Sequence, residues 1–352
     1  MTGIITKNTG RASGVVGTSA AGVPAVTSDP PTSDLSEGDI WLRTDLTSSN
    51  LKAYLDYGIQ WSAGGAYPAG LYSITAAGTG SDITAVGGIR QSPNSSVSTG
   101  SEYNGTSWSG IPAYPISVYG AFASCASPGA DVTFAGGRTY PGSGVTTCNE
   151  WDGSSFSSGG ALSTARYIGM GAGTASAMSA IGGEPGTLST REDYNGSTWS
   201  SGTSFPTSVV EGSMTTAGPA SDWCFANARD GSPPYPSQGY SWNGSSYSTF
   251  PKPPSTPSAG SGNGTNFGSN SSNLFSGFAE YPPGANADIM LYNGSSWSST
   301  PTFPSKKSWL TTTTAGNTAP GGSGQIFGGT GYSTATVDYS YGLAIHSINT
   351  DT

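Results

Sequence analysis

Histidine is nearly missing from this sequence: His346 is the single one in 352 residues. Most histidine-built metal centres and nucleophile relays are excluded with it. Charge is scarce as well. Asp, Glu, Lys and Arg together make 9% of the chain, against about 25% in an ordinary soluble domain. Basic residues are the scarcer sign, 12 against 21 acidic ones, for a net charge of −9. The only adjacent basic pair is Lys306-Lys307. A phosphate backbone demands clustered Lys and Arg, so nucleic acid is not expected as a partner. No apolar run is long enough to span a bilayer, and membrane insertion is not expected. The opening MTGIITKNTGRASG lacks the apolar core of a secretory leader. Cysteine is limited to Cys125, Cys148 and Cys224, with neither a disulfide framework nor zinc spacing. Buried free thiols are the expectation, and a Cys125–Cys148 bridge stays open. With no dense Asp-x-Asp run for calcium either, no metal site and no cofactor is expected.

Small and turn-forming residues are abundant instead. Gly numbers 54 and Pro 24, about 22% of the chain together. That excludes a helical bundle. Aromatics reach 11%, too many for a merely disordered chain, because bulky rings must be buried. An all-β protein of many short strands and turns fits both facts.

A short motif recurs along the chain. It reads Tyr103-Asn104-Gly105-Thr106-Ser107-Trp108, then Trp151-Asp152-Gly153-Ser154-Ser155-Phe156, then Tyr194-Asn195-Gly196-Ser197-Thr198-Trp199. It returns as Trp242-Asn243-Gly244-Ser245-Ser246-Tyr247 and Tyr292-Asn293-Gly294-Ser295-Ser296-Trp297. The closing aromatics lie 48, 43, 48 and 50 residues apart, and a weaker copy ends at Trp61. Asn-Gly and Asp-Gly predict tight hairpins with type I′ turns, and the flanking aromatics can pack across the two strands. Between these motifs run apolar strands ending in a glycine pair: Gly87-Gly88, Gly136-Gly137, Gly182-Gly183 and Gly328-Gly329. A glycine pair there suggests a sharply bent strand end where backbones approach closely. Degenerate copies stand at 222–226 and 273–277.

Two hairpins per unit of about 48 residues make a four-stranded sheet, and six such units describe a β-propeller. The pattern of apolar strand, Gly-Gly, aromatic and Trp resembles the kelch repeat, as in Gly87-Gly88, Tyr103, Trp108 and in Gly182-Gly183, Tyr194, Trp199. The stretch from Gly159 to Tyr167 is similar to the kelch segment that leads into the next blade. The implied fold is all-β: a six-bladed kelch-like propeller of four-stranded blades over 63–346, with 347–352 as a tail. Blades four and five lose the glycine pair and gain Pro-rich insertions. Closure by the C-terminal copy near 335–341 or by the 51–61 segment stays open.

Residues 1–35 carry no periodicity and suit an extended attachment arm; 36–62 read as a connecting β-hairpin that could contribute closing strands. The string EGDIWLRTDLTSSNLKAYLDYGIQWSAGG resembles a module of tail-fibre and other virion proteins of tailed bacteriophages, cyanophages especially. That resemblance implies a virion protein, assembled in the host cytoplasm, with residues 1–35 bound to other virion proteins. It also implies a homo-oligomer, a trimer or multiple copies per virion. The leading expectation is a receptor-facing adhesin that holds a host cell-surface glycan, with Trp223, Tyr235, Tyr281 and Trp309 as stacking platforms. The competing expectations are a purely structural head or tail component and a sialidase-like hydrolase. Arginines follow several strands (Arg90, Arg138, Arg166, Arg191, Arg229), with Arg90 and Arg138 just past glycine pairs. Yet no acid, base and nucleophile set stands out, so no catalytic residue is assigned and no enzyme is expected.

Overall fold

The computed structural model describes residues 25–30, 40–43, 51–63, 65–79, 82–90, 93–124, 127–210, 220–226, 238–251, 253–254, 264–270, 273–278, 289–299, 310–312, 322–328 and 336–347. All regular structure among the described residues is β.

The recurring hairpin is built by one side chain. Asn104 Oδ1 accepts the N–H groups of Thr106 and Ser107 at 3.0 and 2.9 Å. This Asx turn folds the four-residue loop back on itself. Asp152, Asn195, Asn243 and Asn293 accept the same two N–H groups in their own loops. The following glycines, Gly105, Gly153, Gly196, Gly244 and Gly294, take φ between +85° and +89°. Positive φ falls on the glycine alone, whereas a type I′ turn needs it at both central residues. The expected turn type is therefore corrected: the Asn or Asp supplies hydrogen-bond acceptors and leaves the left-handed backbone to glycine. The aromatics at the loop bases are direct register partners, from Tyr103↔Trp108 to Tyr292↔Trp297. Their ring centroids lie 4.6 to 5.1 Å apart.

Asp152 is the one acid in this set, and hydrogen bonds from Ser154 and Ser155 lower its pKa from 3.8 to about 2. A carboxyl depressed in the folded state stabilises above its unfolded pKa and loses that contribution as pH falls through the folded one. Asp152→Asn, the residue the other loops carry, is expected to fold normally and to flatten the fall in melting midpoint between pH 3.8 and about 2. Thermal unfolding of both proteins across that window checks it.

Each hairpin closes a sheet. Sheet 1 runs Thr75–Thr79, Asp82–Val86, Gly100–Tyr103, Trp108–Ile111 in antiparallel order. Sheet 2 is Phe122–Ala123, Val132–Ala135, Cys148–Trp151, Phe156–Ser158. Sheet 3 is Met170–Thr174, Ala177–Ile181, Arg191–Tyr194, Trp199–Ser201. Sheet 4, among the described residues, comprises Trp223–Phe225, Gln238–Trp242 and Tyr247–Pro251. Sheet 5 is Gly264–Asn270, Asn273–Phe278, Ile289–Tyr292, Trp297–Ser299. These are antiparallel meanders, with the separate ribbon Ile89–Arg90 and Ser95–Ser96 inserted between the second and third strands of sheet 1.

The core lies between successive sheets. Ala77 and Val86 of sheet 1 meet Val132, Phe134 and Trp151 of sheet 2 across Tyr114 and Val118. Phe122 and Ala135 of sheet 2 meet Met178, Ala180 and Tyr194 of sheet 3. Met170 and Ile181 of sheet 3 meet Trp223, Tyr240 and Trp242 of sheet 4. Cys224 and Phe250 of sheet 4 meet Tyr292 of sheet 5. A strand sandwiched on both faces is buried at nearly every residue, as Asp82–Val86 and Ala177–Ile181 are, while the outermost strands of sheets 2, 3 and 5 are exposed past their first residue.

The glycine pairs stitch these sheets together. Gly87, Gly136 and Gly182 have φ near +65° and Gly88, Gly137 and Gly183 φ near +100°. The second glycine of each pair donates its N–H to Val118, Arg166 or Val209 in the chain leading onward, at 2.7 to 2.9 Å. A Cβ on the first glycine would collide with the carbonyl of that same residue. The close approach predicted for Gly-Gly is found, and its partner is the following connection.

The chain divides into two units, Trp61–Ser340 and Met1–Gln60 with Tyr341–Thr352. In the second unit, strand Ile40–Arg43 forms an antiparallel hairpin with the start of Leu51–Ala63, through Ile40↔Ala53 and Leu42↔Leu51. Ala25–Val26 pairs in parallel with Leu42 and Arg43. Strand Thr336–Ser347 neighbours Leu51–Ala63. Within Trp61–Ser340, Leu310–Thr312 pairs antiparallel with Gly322–Gly328. The rest of the expected arm lies outside the described residues. Cys148 and Cys224 are buried, and Cys148 carries no disulfide.

Candidate functional site

Three tyrosines hold equivalent places at the glycine-pair ends of sheets 1 to 3: Tyr72, Tyr119 and Tyr167. Each exchanges both backbone hydrogen bonds with the residue just past a glycine pair, namely Ile89, Arg138 and Glu184. The following residues, Ser73, Gly120 and Ile168, all take positive φ, at 52°, 62° and 45°. They also link in series: Gly120 N–H donates to Ser73 O at 3.1 Å and Ile168 N–H to Gly120 O at 2.7 Å. A β-branched residue such as Ile168 in the left-handed region is strained, at a cost of about 1–3 kcal/mol. Strain of this kind concentrates at sites with a task. The series places the three tyrosines at equivalent backbone positions in successive sheets.

Arg138 organises the middle of the row. Its Nη1 donates to the Tyr119 hydroxyl at 3.2 Å and its Nε to the Gly142 carbonyl at 3.1 Å. Its guanidinium carbon stands 5.2 Å from the Tyr167 ring centroid and 6.0 Å from that of Tyr140. Tyr119 and Tyr167 meet edge to face, 6.3 Å apart. Burial pushes the Tyr119 hydroxyl above its ordinary pKa, and the Arg138 cation pulls it part of the way back. Tyr140 is anchored across the sheet boundary, its N–H donating to Ser96 Oγ at 3.0 Å. Tyr119, Arg138, Tyr140 and Tyr167 are all half-buried. Aromatic faces beside a planar guanidinium can stack on a pyranose ring and hydrogen-bond its hydroxyls.

The residues expected from sequence fare differently. Trp223 is a correction: it is fully buried between sheets 3 and 4, packed on Tyr247 at 5.9 Å, and presents no face to a ligand. It occupies the inward position that Val132 and Met178 hold in earlier sheets. Tyr235, Tyr281, Trp309 and Arg229 lie outside the described residues. Arg90 and Arg138 are not equivalent, because the counterpart of Arg138 is Ile89; Arg90 is exposed on a short ribbon with Ser95. Arg166 is buried against Glu192, and Arg191 is tied to Asp193. Among the described residues no group of His, Cys, Asp and Glu could hold a metal ion. Burial raises the Cys148 thiol to about 12, which keeps it protonated at neutral pH. The tyrosine row lies in the regular repeats, away from the Pro-rich insertions that drew the sequence expectation. Alignment on the glycine pairs reveals it, since Tyr72, Tyr119 and Tyr167 are 47 and 48 residues apart. A scan against protein-family models and a search of curated proteins find no match to the chain.

Proposed function

We propose that this chain is a virion protein of a tailed bacteriophage, a tail fibre or other receptor-facing component, that binds a host-surface glycan on its tyrosine–arginine rim. The observation that carries the reading is the row Tyr119–Arg138–Tyr140–Tyr167, aromatic faces around a guanidinium, repeated in part at Tyr72. The virion assignment rests on the resemblance of residues 37–65 to phage tail-fibre modules and on the Gly-, Ser- and Thr-rich, charge-poor composition. In this reading the successive sheets are the blades of a six-bladed kelch-like propeller. Leu310–Thr312 and Gly322–Gly328, an antiparallel pair, belong to the sixth blade. Residues 1–35 attach the protein to a virion neighbour. Several copies turn weak contacts into avidity. The reading needs no catalysis: Arg90, Arg138, Arg166 and Arg191 sit in four separate environments, not in one carboxylate-binding cluster. A purely structural role is the second reading, favoured by Arg138 already occupying one face of Tyr167.

The test is binding of the labelled full chain to candidate bacterial host cells, with glycan-stripped cells beside them. Saturable binding lost on stripping is expected. Tyr119→Ala combined with Tyr167→Ala is expected to weaken it about tenfold, the change that 1.4 kcal/mol makes. Absence of binding, even after artificial trimerisation, would move the assignment to the structural reading.

A further inference from the structure

The boundary between sheets 3 and 4 departs from the two before it. Thr84 and Thr133 stand three residues ahead of their glycine pairs, and each bridges to the next sheet. Thr84 Oγ1 donates to the Gly129 carbonyl at 2.7 Å, and Thr133 Oγ1 to the Ala175 carbonyl at 2.8 Å. The third such position is Ser179. Its hydroxyl stays within its own sheet, donating to Asp193 Oδ1 at 2.6 Å. Ala220, the counterpart of Gly129 and Ala175, becomes the wall of an open cleft of about 200 Å³.

A second departure lies in the same place. The first residue of the third strand is Gly100 in sheet 1 and Cys148 in sheet 2, but Arg191 in sheet 3. The Arg191 guanidinium stacks 4.2 Å from the Trp242 ring centroid of sheet 4 and donates to the Tyr247 hydroxyl at 3.2 Å. Its Nη2 meets Asp193 Oδ2 at 2.8 Å; the Arg191 side chain is 8% exposed and that of Asp193 33%. The cleft is therefore floored by a neutralised ion pair and lined by Ser179, Ser221, Ala220 and Trp242.

We propose that this cleft binds one neutral, hydroxylated ring, such as a single hexose unit. An anion would meet the exposed Asp193 carboxylate, and a cation would meet Arg191, so either charge is opposed. A hydroxylated ring donates to the carboxylate and accepts from the Ser221 hydroxyl. The volume sets the size: about 200 Å³ lies below the roughly 300–1,000 Å³ of pockets for drug-sized ligands, which suits one ring and excludes an oligomer. The site is separate from the tyrosine rim, so either can fail without the other.

The experiment is saturation-transfer NMR on the full chain with D-glucose, D-galactose and N-acetyl-D-glucosamine. Transfer to at least one of them is expected. It should drop at least tenfold in Ser179→Thr, whose added methyl occupies the cleft and whose hydroxyl is placed to bridge to Ala220 as the earlier threonines do. Asp193→Asn, which keeps shape but removes the charged acceptor, should weaken it as well and covers the case in which Ser179→Thr misfolds. All transfer is read in a background carrying Tyr119→Ala and Tyr167→Ala, so that the rim contributes nothing to it. No transfer from any of the three sugars, or undiminished transfer in both cleft variants, overturns the proposal. Displacement of the sugar by inorganic phosphate also overturns it, because the cleft would then be an anion site.

Discussion

Arg166→Ala is expected to cost about 3–5 kcal/mol, because it strips one partner from a buried ion pair and leaves the other uncompensated. The Arg166 side chain is 1% exposed and that of Glu192 4%, with Nη2 and Oε1 2.8 Å apart. Arg166 also donates to the Gly182 and Thr190 carbonyls and to Thr190 Oγ1. Glu192 in turn accepts the N–H groups of Ser163 and Thr164 in the connection from sheet 2. Removing the guanidinium thus takes one donor from each of three acceptors and leaves the buried carboxylate without its cation. At about 2–4 °C per kcal/mol for a protein of this size class, the melting midpoint should fall by the order of 10 °C. Arg166→Lys should recover little, since an ammonium cannot present the planar fork that these acceptors require. Adding Glu192→Gln to Arg166→Met should recover part of the loss, because the amide oxygen still receives Ser163 while no charge remains buried. A double variant as unstable as the single one would show that the pair acts by shape alone.

The second large effect belongs to the glycine pairs. Gly136→Ala meets two obstacles. Its φ of +65° is left-handed, where a side chain costs about 1–2 kcal/mol. Its Cβ would also stand 2.5 Å from the Arg166 carbonyl, a backbone atom that cannot swing away. Gly186 provides the control, with φ of +85° and nothing within 4 Å of where a Cβ would stand. Gly186→Ala should show only the backbone cost. Gly136→Ala should show that cost and the displacement of the connection, at least about 3 kcal/mol in all. Urea unfolding of the two variants measures the difference. Equal losses would mean that the pair is required for its dihedral angles and not for the close approach.

Much of this architecture is legible in the sequence because its markers are local. Asn-Gly between two aromatics specifies a hairpin with no help from the rest of the chain, and all five intact copies form one. Gly-Gly marks a close approach for the same reason: only a missing Cβ permits it. Which carbonyl approaches is not local, and Val118, Arg166 and Val209 become identifiable only once successive sheets are packed. Trp223 shows the limit from the other side. An indole in a degenerate repeat suggests an exposed platform, but its register partner is Trp242, and that pairing directs it into the core. The tyrosine row falls between these cases, since the spacing is in the sequence while the reason for it, the linked left-handed residues, is three-dimensional. The cleft beside Ser179 is hidden further still, because Thr and Ser look interchangeable until the lost bridge to Ala220 is seen.

The outermost strands of sheets 2, 3 and 5 are only three residues long, and after their first aromatic residue they consist of exposed serine. A long, flat, apolar edge is a template on which another chain can add a strand. Here the edge ends before two or three successive backbone hydrogen bonds can form with an incomer, and its hydroxyls keep it wet. Neighbouring copies are therefore hindered from fusing along these three edges, and the net charge of −9 adds mutual repulsion.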